Sequence, residues 1–212
     1  PCGDNCPDLD FVALNGGGFS MGGLADLPYT MPAHPVNVPD FELMRGEVTV
    51  AHYRACVTAG ACDAPDCTDE QTHDEVIVCN YSQNRNDHTV NYVSWINARQ
   101  FATWVDARLP SESEWEFAAK SRGQNITYPW GDAAPTCNHA DFWINNDSCH
   151  GDGTSAVCTH AAGNSAQGLC DLAGNLYEWL QDEWHGDYNG APADGSAWGA
   201  DANNGAGRVI RG

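Results

Sequence analysis

Ten cysteines in a chain of 212 residues constrain this fold more than any other feature of the sequence. Their number is even, their spacings are scattered, and no C-x-x-C pair occurs among them. This pattern is typical of a disulfide framework formed in an oxidising compartment. We therefore expect an exported protein that is secreted, periplasmic or cell-surface. The cysteines are Cys2, Cys6, Cys56, Cys62, Cys67, Cys79, Cys137, Cys149, Cys158 and Cys170.

The pairing of these cysteines cannot be deduced from the sequence. Pairs that close short loops are the most economical hypothesis. They are Cys2–Cys6, Cys56–Cys62, Cys67–Cys79 and Cys149–Cys158.

The charge of the chain limits its partners. There are 29 acidic residues against nine Lys and Arg, which gives a formal net charge of −20. Such a surface repels nucleic acid and anionic lipid, so we exclude a nucleic-acid-binding role. No apolar run is long enough for a membrane span. The excess of carboxylates favours divalent cations with oxygen ligands.

Three helices are predicted from capping residues and apolar periodicity. Thr49 caps the first helix, which ends at Gly60, and Ser94 caps the second. Ser111 and Glu114 form an S-x-x-E capping box at the start of the third. Residues 10–22, with NGGG in the middle, predict a β-hairpin.

The remaining chain shows little regular periodicity, so we predict a single α+β domain over residues 1–212 with much irregular loop. The acidic segment 62–79 is bounded by cysteines and predicts a stapled surface insert.

A group of charged residues around the third helix could be mistaken for an acid–base site. Glu112 and Glu116 share a helix face at i,i+4, whereas Glu114 is the predicted partner of the cap. We interpret these residues as a helix cap and ion pairs, with Arg108 as the partner. The alternative is that they form a catalytic acid–base site.

The segment 168–184, GLCDLAGNLYEWLQDEW, predicts a metal site. If the backbone is extended, the carboxylates of Asp171 and Glu178 and the carbonyls of Gly174 and Leu176 can converge on one point. Hard oxygen ligands without His or thiolate suit Ca²⁺. The alternative is a strand that carries these acids only as surface decoration.

Several motifs resemble one protein family in their order along the chain. They are FVALNGGGFSMG, EVTVAHYRAC, RLPSESEWEFAAKSRG, YPWGD, GLCDLAGNLYEW and RVIRG. Together they resemble the formylglycine-generating enzyme family, also called the sulfatase-modifying-factor domain, from about Asp10 to Gly212. The resemblance implies a variant C-type-lectin-like fold with few helices, a small mixed sheet and calcium-bound loops. It places the insert 62–79 outside the common core.

The resemblance also implies metal sites. It matches a family calcium site to Asp171, Gly174, Leu176 and Glu178. It implies a second calcium site at Asn138, the carbonyl of His139, Asp152 and the carbonyl of Thr154.

For function, the resemblance implies two alternatives. Family enzymes oxidise a cysteine of a client sulfatase with copper held by two cysteine thiolates, which follow the RVIRG-like motif. The sequence stops at Gly212, and none of its ten cysteines matches that pair. We therefore expect an exported, calcium-stabilised, disulfide-rich recognition or structural module that is non-catalytic as given. The alternative is a copper-dependent oxidase whose catalytic cysteines lie in a C-terminal segment absent here.

Its partners are not identified by the sequence. The module could bind a protein or glycan ligand. We also expect the strand edge near Arg208–Gly212 to be covered, either by a continuation of the chain or by a second polypeptide.

Overall fold

The computed structural model describes residues 1–3, 6–24, 27–67, 78–144, 147–149, 153–199 and 207–212. The helices are α1 (Val50–Thr58), α2 (Trp95–Trp104) and α3 (Glu112–Ala119). The strands are β1 (Phe11–Leu14), β2 (Gly17–Met21), β3 (His34–Val38), β4 (Phe41–Met44), β5 (Trp143–Ile144), β6 (Asp147–Ser148), β7 (Glu178–Glu183) and β8 (Arg208–Arg211). Short elements joined by long loops confirm the α+β class.

Each helix begins at its predicted cap. The hydroxyl of Thr49 accepts a hydrogen bond from the backbone N–H of His52, and Ser94 does the same for Asn97. At α3 the box is complete, because the Glu114 carboxylate also accepts the backbone N–H of Ser111. These side chains satisfy backbone donors that the first turn of a helix leaves without partners.

In the described part of the chain the strands pair in four two-stranded antiparallel sheets, and the predicted hairpin over residues 10–22 is wrong. Strand β1 pairs with β4, while β2 pairs with β3. The chain changes sheet at Gly16, where a Cβ would come within 2.1 Å of the carbonyl oxygen of Val38. Its N–H donates to Asp40, which anchors the crossing. The glycines therefore permit a close backbone crossing, not a tight turn.

Helix α3 lies at the centre of the hydrophobic packing. Trp115 packs in one buried cluster with Leu14 of β1 and Leu180 of β7. From the opposite side of the same helix, Phe117 packs edge-on against Phe19 of β2. A separate cluster joins α1 and α2. Strand β7, which carries Glu178, is thus fixed against α3 through its apolar side chains.

All ten cysteines form disulfides. The five bonds are Cys2–Cys6, Cys56–Cys62, Cys67–Cys79, Cys137–Cys149 and Cys158–Cys170. Three of the four predicted pairs are correct. The predicted pair Cys149–Cys158 is wrong, because tertiary packing brings Cys170 to Cys158 although Cys149 is nearer in sequence. Five disulfides are typical of an oxidising compartment.

None of the helices in the described residues has the length and apolar content needed to cross a membrane.

Candidate metal centre

The loop that precedes β7 is bent, not extended. Asp171, Gly174 and Asn175 all have positive φ angles, of 58°, 89° and 64°. The condition of an extended backbone, on which the predicted convergence of these ligands depends, does not hold before Glu178, where the strand begins. At Gly174 a Cβ would lie 2.4 Å from the carbonyl oxygen of Asp141, so only glycine fits this bend.

Three carboxylates lie near enough to this bend to interact electrostatically with one another, although their oxygens do not all lie within 4.8 Å of one another. Asp171 and Glu178 belong to the predicted site, whereas Glu47 comes from the segment between β4 and α1. Glu47 is only 7% exposed, and the other two are partly buried. Like charges held near one another in a poorly hydrated place are costly unless they are protonated or neutralised by a cation.

The pKa values of all three carboxyl groups are raised. Burial raises the pKa of Glu178 to about 7, and the charge of Asp171 adds to the rise although the indole N–H of Trp115 opposes it. Burial also raises the pKa of Glu47 well above its usual value, with further contributions from Glu178 and Asp171. The pKa of Asp171 rises through burial as well, against a hydrogen bond from Cys158.

Glu47 also fixes the bent loop. Its two carboxylate oxygens accept hydrogen bonds from the side-chain amide of Asn175 and from the backbone N–H of Leu176. Asn175 is held from the other side, because its side-chain oxygen accepts the N–H of Ser155 at 2.9 Å. Its own N–H donates to the carbonyl of Asp141. The loop is therefore oriented by residues from three distant parts of the chain.

The backbone carbonyl oxygen of Leu176, which is one of the predicted metal ligands, lies close to Gly212. A Cβ on Gly212 would come within 2.5 Å of this oxygen, so the backbone after β8 packs directly against it.

Within the described residues, the side-chain atoms that lie close enough together to share one ion form a different group, which contains Asp171 but neither Glu47 nor Glu178. The sulfur atoms of Cys158 and Cys170 and a carboxylate oxygen of Asp171 lie within 4.8 Å of one another. Both sulfurs belong to one disulfide, so they offer no thiolate to a soft metal. Oxygen donors dominate the site, which fits a hard divalent cation.

The structure describes only part of the second predicted calcium site. Asp152 lies outside the described residues. The carbonyl of His139 faces Gly163, whose added Cβ would lie 1.7 Å away, and Asn138 is exposed. The hydroxyl of Thr154 contacts Asn80 and His88. The second site stays a prediction.

The charged group on α3 has the structural role that its spacing indicates. Arg108 forms two hydrogen bonds of 2.7 Å with the carboxylate of Glu114. Glu112 and Glu116 both bind Arg211 of β8. Sequence reasoning did not foresee Arg211, because it lies almost one hundred residues after its partners.

One protein-family model matches almost the whole chain. The model described as "Sulfatase-modifying factor enzyme 1-like domain" matches residues 4–212. The chain belongs to this family. The resemblance noted in the sequence motifs is therefore confirmed.

Curated relatives of this family are much longer than the chain. A formylglycine-generating enzyme of Thermomonospora curvata is 36% identical over 111 residues, which cover 50% of this chain and 37% of that protein. A hercynine oxygenase of Mycolicibacterium thermoresistibile is 34% identical over 188 residues, which cover 74% of this chain and 40% of its own length. The chain thus spans less than half of each.

The fold of the family is shared with a solved structure. PvdO from Pseudomonas aeruginosa superposes with a TM-score of 0.76 at 29% identity, covering 98% of this chain and 83% of that one. This similarity confirms the expected fold.

Glu47 is the member of the site that sequence reasoning missed. It opens the EVTVAHYRAC motif, and the available signal was an acid placed three residues before a helix start. A carboxylate there also suits the N-terminal end of a helix, so the sequence alone gave no reason to assign it to a distant loop.

Proposed function

We propose that this chain is a calcium-stabilised, disulfide-rich recognition or structural module of the sulfatase-modifying-factor family that acts after export. The observation that carries the proposal is the cluster of Glu47, Asp171 and Glu178 around a bent loop. A divalent cation would neutralise these carboxylates and take further oxygen ligands from the backbone carbonyls of the loop. Its chemistry there is electrostatic and structural, because it fixes ligands from two segments in one place.

The donor set favours calcium over the transition metals. The cluster offers carboxylate and carbonyl oxygens, which suit Ca²⁺, Mg²⁺ and Mn²⁺. Ca²⁺ tolerates irregular coordination, whereas Mg²⁺ demands a near-octahedral set and keeps several waters. A bent loop that supplies ligands at uneven spacing fits the more tolerant ion.

The cysteines support a non-catalytic role for the chain as given. Copper chemistry of the family type needs two thiolates, and all ten cysteines are held in disulfides. The disulfides and the net charge of −20 also fit an extracellular or periplasmic surface protein.

Calorimetric titration of chelator-treated protein with CaCl₂ tests the metal proposal. We expect saturable binding by the unmodified chain and binding at least about tenfold weaker in Glu178→Gln. Glu42→Gln is the matched control, because Glu42 is an exposed acid of β4. An unmodified chain that gives no binding heat and no rise in melting temperature with calcium would refute the site.

The second candidate is the copper-dependent formylglycine-generating oxidase. The observation that favours it is the 36% identity over 111 residues to the formylglycine-generating enzyme of Thermomonospora curvata. The assay is oxidation of a cysteine in a sulfatase-derived peptide with added copper, followed by mass spectrometry. We expect no product from the 212-residue chain. Turnover would overturn the non-catalytic proposal.

For the partner, we infer a polypeptide segment that covers the edge at Arg208–Gly212. In the part of the chain that the structure describes, β8 pairs only with β7. Ile210 on this strand is 43% exposed. An open strand edge with an exposed apolar side chain favours pairing with another strand. Amide hydrogen exchange at residues 208–211 that is slowed only by a bound partner supports this inference, and rapid exchange in every complex contradicts it.

A further inference from the structure

We propose that the Cys158–Cys170 disulfide couples cation binding to redox state, so that its reduction weakens binding at the cluster of Glu47, Asp171 and Glu178. The inference rests on the proposed cation site and adds a means of regulation to it. Three contacts of the disulfide with the segments that carry the cluster support the coupling.

The first contact is with Asp171. This residue follows Cys170 directly, and its carboxylate accepts the backbone N–H of Cys158 at 2.6 Å. One half of the disulfide is therefore joined to Asp171 through the chain, and the other half holds its side chain. The S–S bond keeps these two attachments together.

The second contact is with the segment that carries Glu47. A Cβ added to Gly46 would lie 2.8 Å from the sulfur of Cys170 and 2.9 Å from that of Cys158. The backbone N–H of Cys170 also donates to the carbonyl of Arg45 at 2.8 Å. The disulfide therefore packs against the backbone immediately before Glu47.

The third contact runs through the loop that ends at Cys158. Ser155 in this loop donates its N–H to Asn175 and its hydroxyl to Asp141. Asn175 in turn donates to Glu47. Movement of the loop on loss of the S–S bond would therefore reach both sides of the cluster.

The backbone around the disulfide favours such movement. Cys158 and Asp171 both lie in the left-handed region, with φ of 62° and 58°. Residues with a side chain adopt this conformation at a cost, and they keep it where the surroundings fix them. Reduction removes one of these constraints and lets both residues relax toward ordinary φ angles.

The reaction needs only a dithiol reductant. A thiolate of the dithiol attacks the sulfur of Cys158, which is partly exposed whereas Cys170 is buried. The S–S bond breaks and a mixed disulfide forms. The second thiol of the reductant then resolves it. Two electrons and two protons pass to the protein, which gains two thiols while the dithiol becomes a disulfide.

Calcium titration of a variant tests the coupling. We expect Cys158→Ser/Cys170→Ser to bind calcium at least about tenfold more weakly than the oxidised unmodified chain. The control is Cys67→Ser/Cys79→Ser, which opens a disulfide of the same sequence separation, 12 residues. It should bind as the unmodified chain does. Equal affinity in the Cys158/Cys170 variant, with the fold kept, would overturn the coupling.

A reciprocal measurement on the unmodified chain decides the matter even if the variant fails to fold. If reduction weakens calcium binding by some factor, calcium must oppose reduction by the same factor. The protein is equilibrated in dithiothreitol redox buffers with calcium or with chelator, and differential alkylation with mass spectrometry quantifies each cysteine. We expect calcium to lower the reduction potential of the Cys158–Cys170 bond by about 30 mV or more, which corresponds to a tenfold effect.

The two hypotheses fail in different ways. Absence of calcium binding to the oxidised chain refutes the cation site itself. Calcium binding without any shift in the Cys158–Cys170 potential refutes only the redox coupling. A shift of equal size at Cys67–Cys79 would also refute it, because the effect would then be general stabilisation of the fold.

Discussion

The carboxylate of Glu47 accepts a hydrogen bond from the side-chain amide of Asn175, which lies 128 residues further along the chain. The same carboxylate accepts the N–H of Leu176. One acidic side chain thus connects the start of α1 to the bent loop before β7. In this position Glu47 both orients the loop and adds negative charge to the cluster.

We predict that Glu47→Gln weakens calcium binding about tenfold or more. The substitution removes one charge from the cluster and leaves one of the two loop donors facing an amide N–H group. The rise in melting temperature that calcium produces should shrink with it, because stabilisation follows ligand occupancy. Differential scanning calorimetry at fixed calcium measures both effects. Glu42→Gln should leave them unchanged, and an unaltered calcium response in Glu47→Gln would exclude Glu47 from the site.

Local features were predictable and long-range ones were not. Thr49, Ser94 and Ser111 mark helix starts because a cap acts on N–H groups within three residues of itself. Gly16 was not predictable in this way, because a glycine permits close approach both in a tight turn and where two segments of the chain cross. The sequence does not indicate that the backbone of Val38 lies next to Gly16. The same limit applies to Glu47, whose partners are far away in sequence.

We predict that Arg211→Met destabilises the fold by about 3–5 kcal/mol. Arg211 is the cation between Glu112 and Glu116, and it also donates to the hydroxyl of Tyr188. Its removal leaves the poorly hydrated carboxylate of Glu112 without its cation, whereas Glu116 keeps its ion pair with Lys120. Urea denaturation in the presence of calcium measures the loss.

The control for this variant is Arg99→Met, at an exposed arginine that lies over the ring of Trp95. A solvent-exposed contact of this kind contributes less than about 1 kcal/mol. Equal losses in the two variants would show that the Glu112–Arg211–Glu116 arrangement adds nothing specific.

The stability of the fold should depend on pH through Asp182. This side chain is 4% exposed, and burial raises its pKa from 3.8 to about 6, with the charge of Glu112 adding to the rise. Hydrogen bonds from the N–H groups of Trp198 and Glu112 oppose it. Because the folded pKa exceeds the unfolded one, ionisation of Asp182 disfavours the fold. The penalty is absent below about pH 4 and complete above about pH 6.

Asp182→Asn isolates this contribution, since the amide stays neutral across the range. Between pH 4 and pH 7 the free energy of unfolding of the unmodified chain should fall relative to that of the variant by up to about 3 kcal/mol. Denaturation at a series of pH values, with saturating calcium throughout, gives the difference. Asp194→Asn, at an exposed acid, should show no such fall. A difference that does not change with pH would mean that Asp182 titrates near its ordinary pKa.

A last prediction separates backbone conformation from close contact at the metal loop. Gly174 and Gly60 both have positive φ, of 89° and 70°, but their surroundings differ. A Cβ at Gly174 would lie 2.4 Å from the carbonyl of Asp141, whereas at Gly60 it would meet nothing within 4 Å. Gly60→Ala should therefore cost only the conformational penalty of about 1–2 kcal/mol.

Gly174→Ala should cost clearly more, because the same penalty is joined by displacement of the Asp141 carbonyl. That displacement also breaks the bond from the N–H of Asn175, so the loop that faces Glu47 should shift. We expect calcium binding to weaken in Gly174→Ala and to stay unchanged in Gly60→Ala. Titration calorimetry and urea denaturation on both variants provide the comparison. Equal losses of stability with calcium affinity intact would show that the bend at Gly174 does not position the cation ligands.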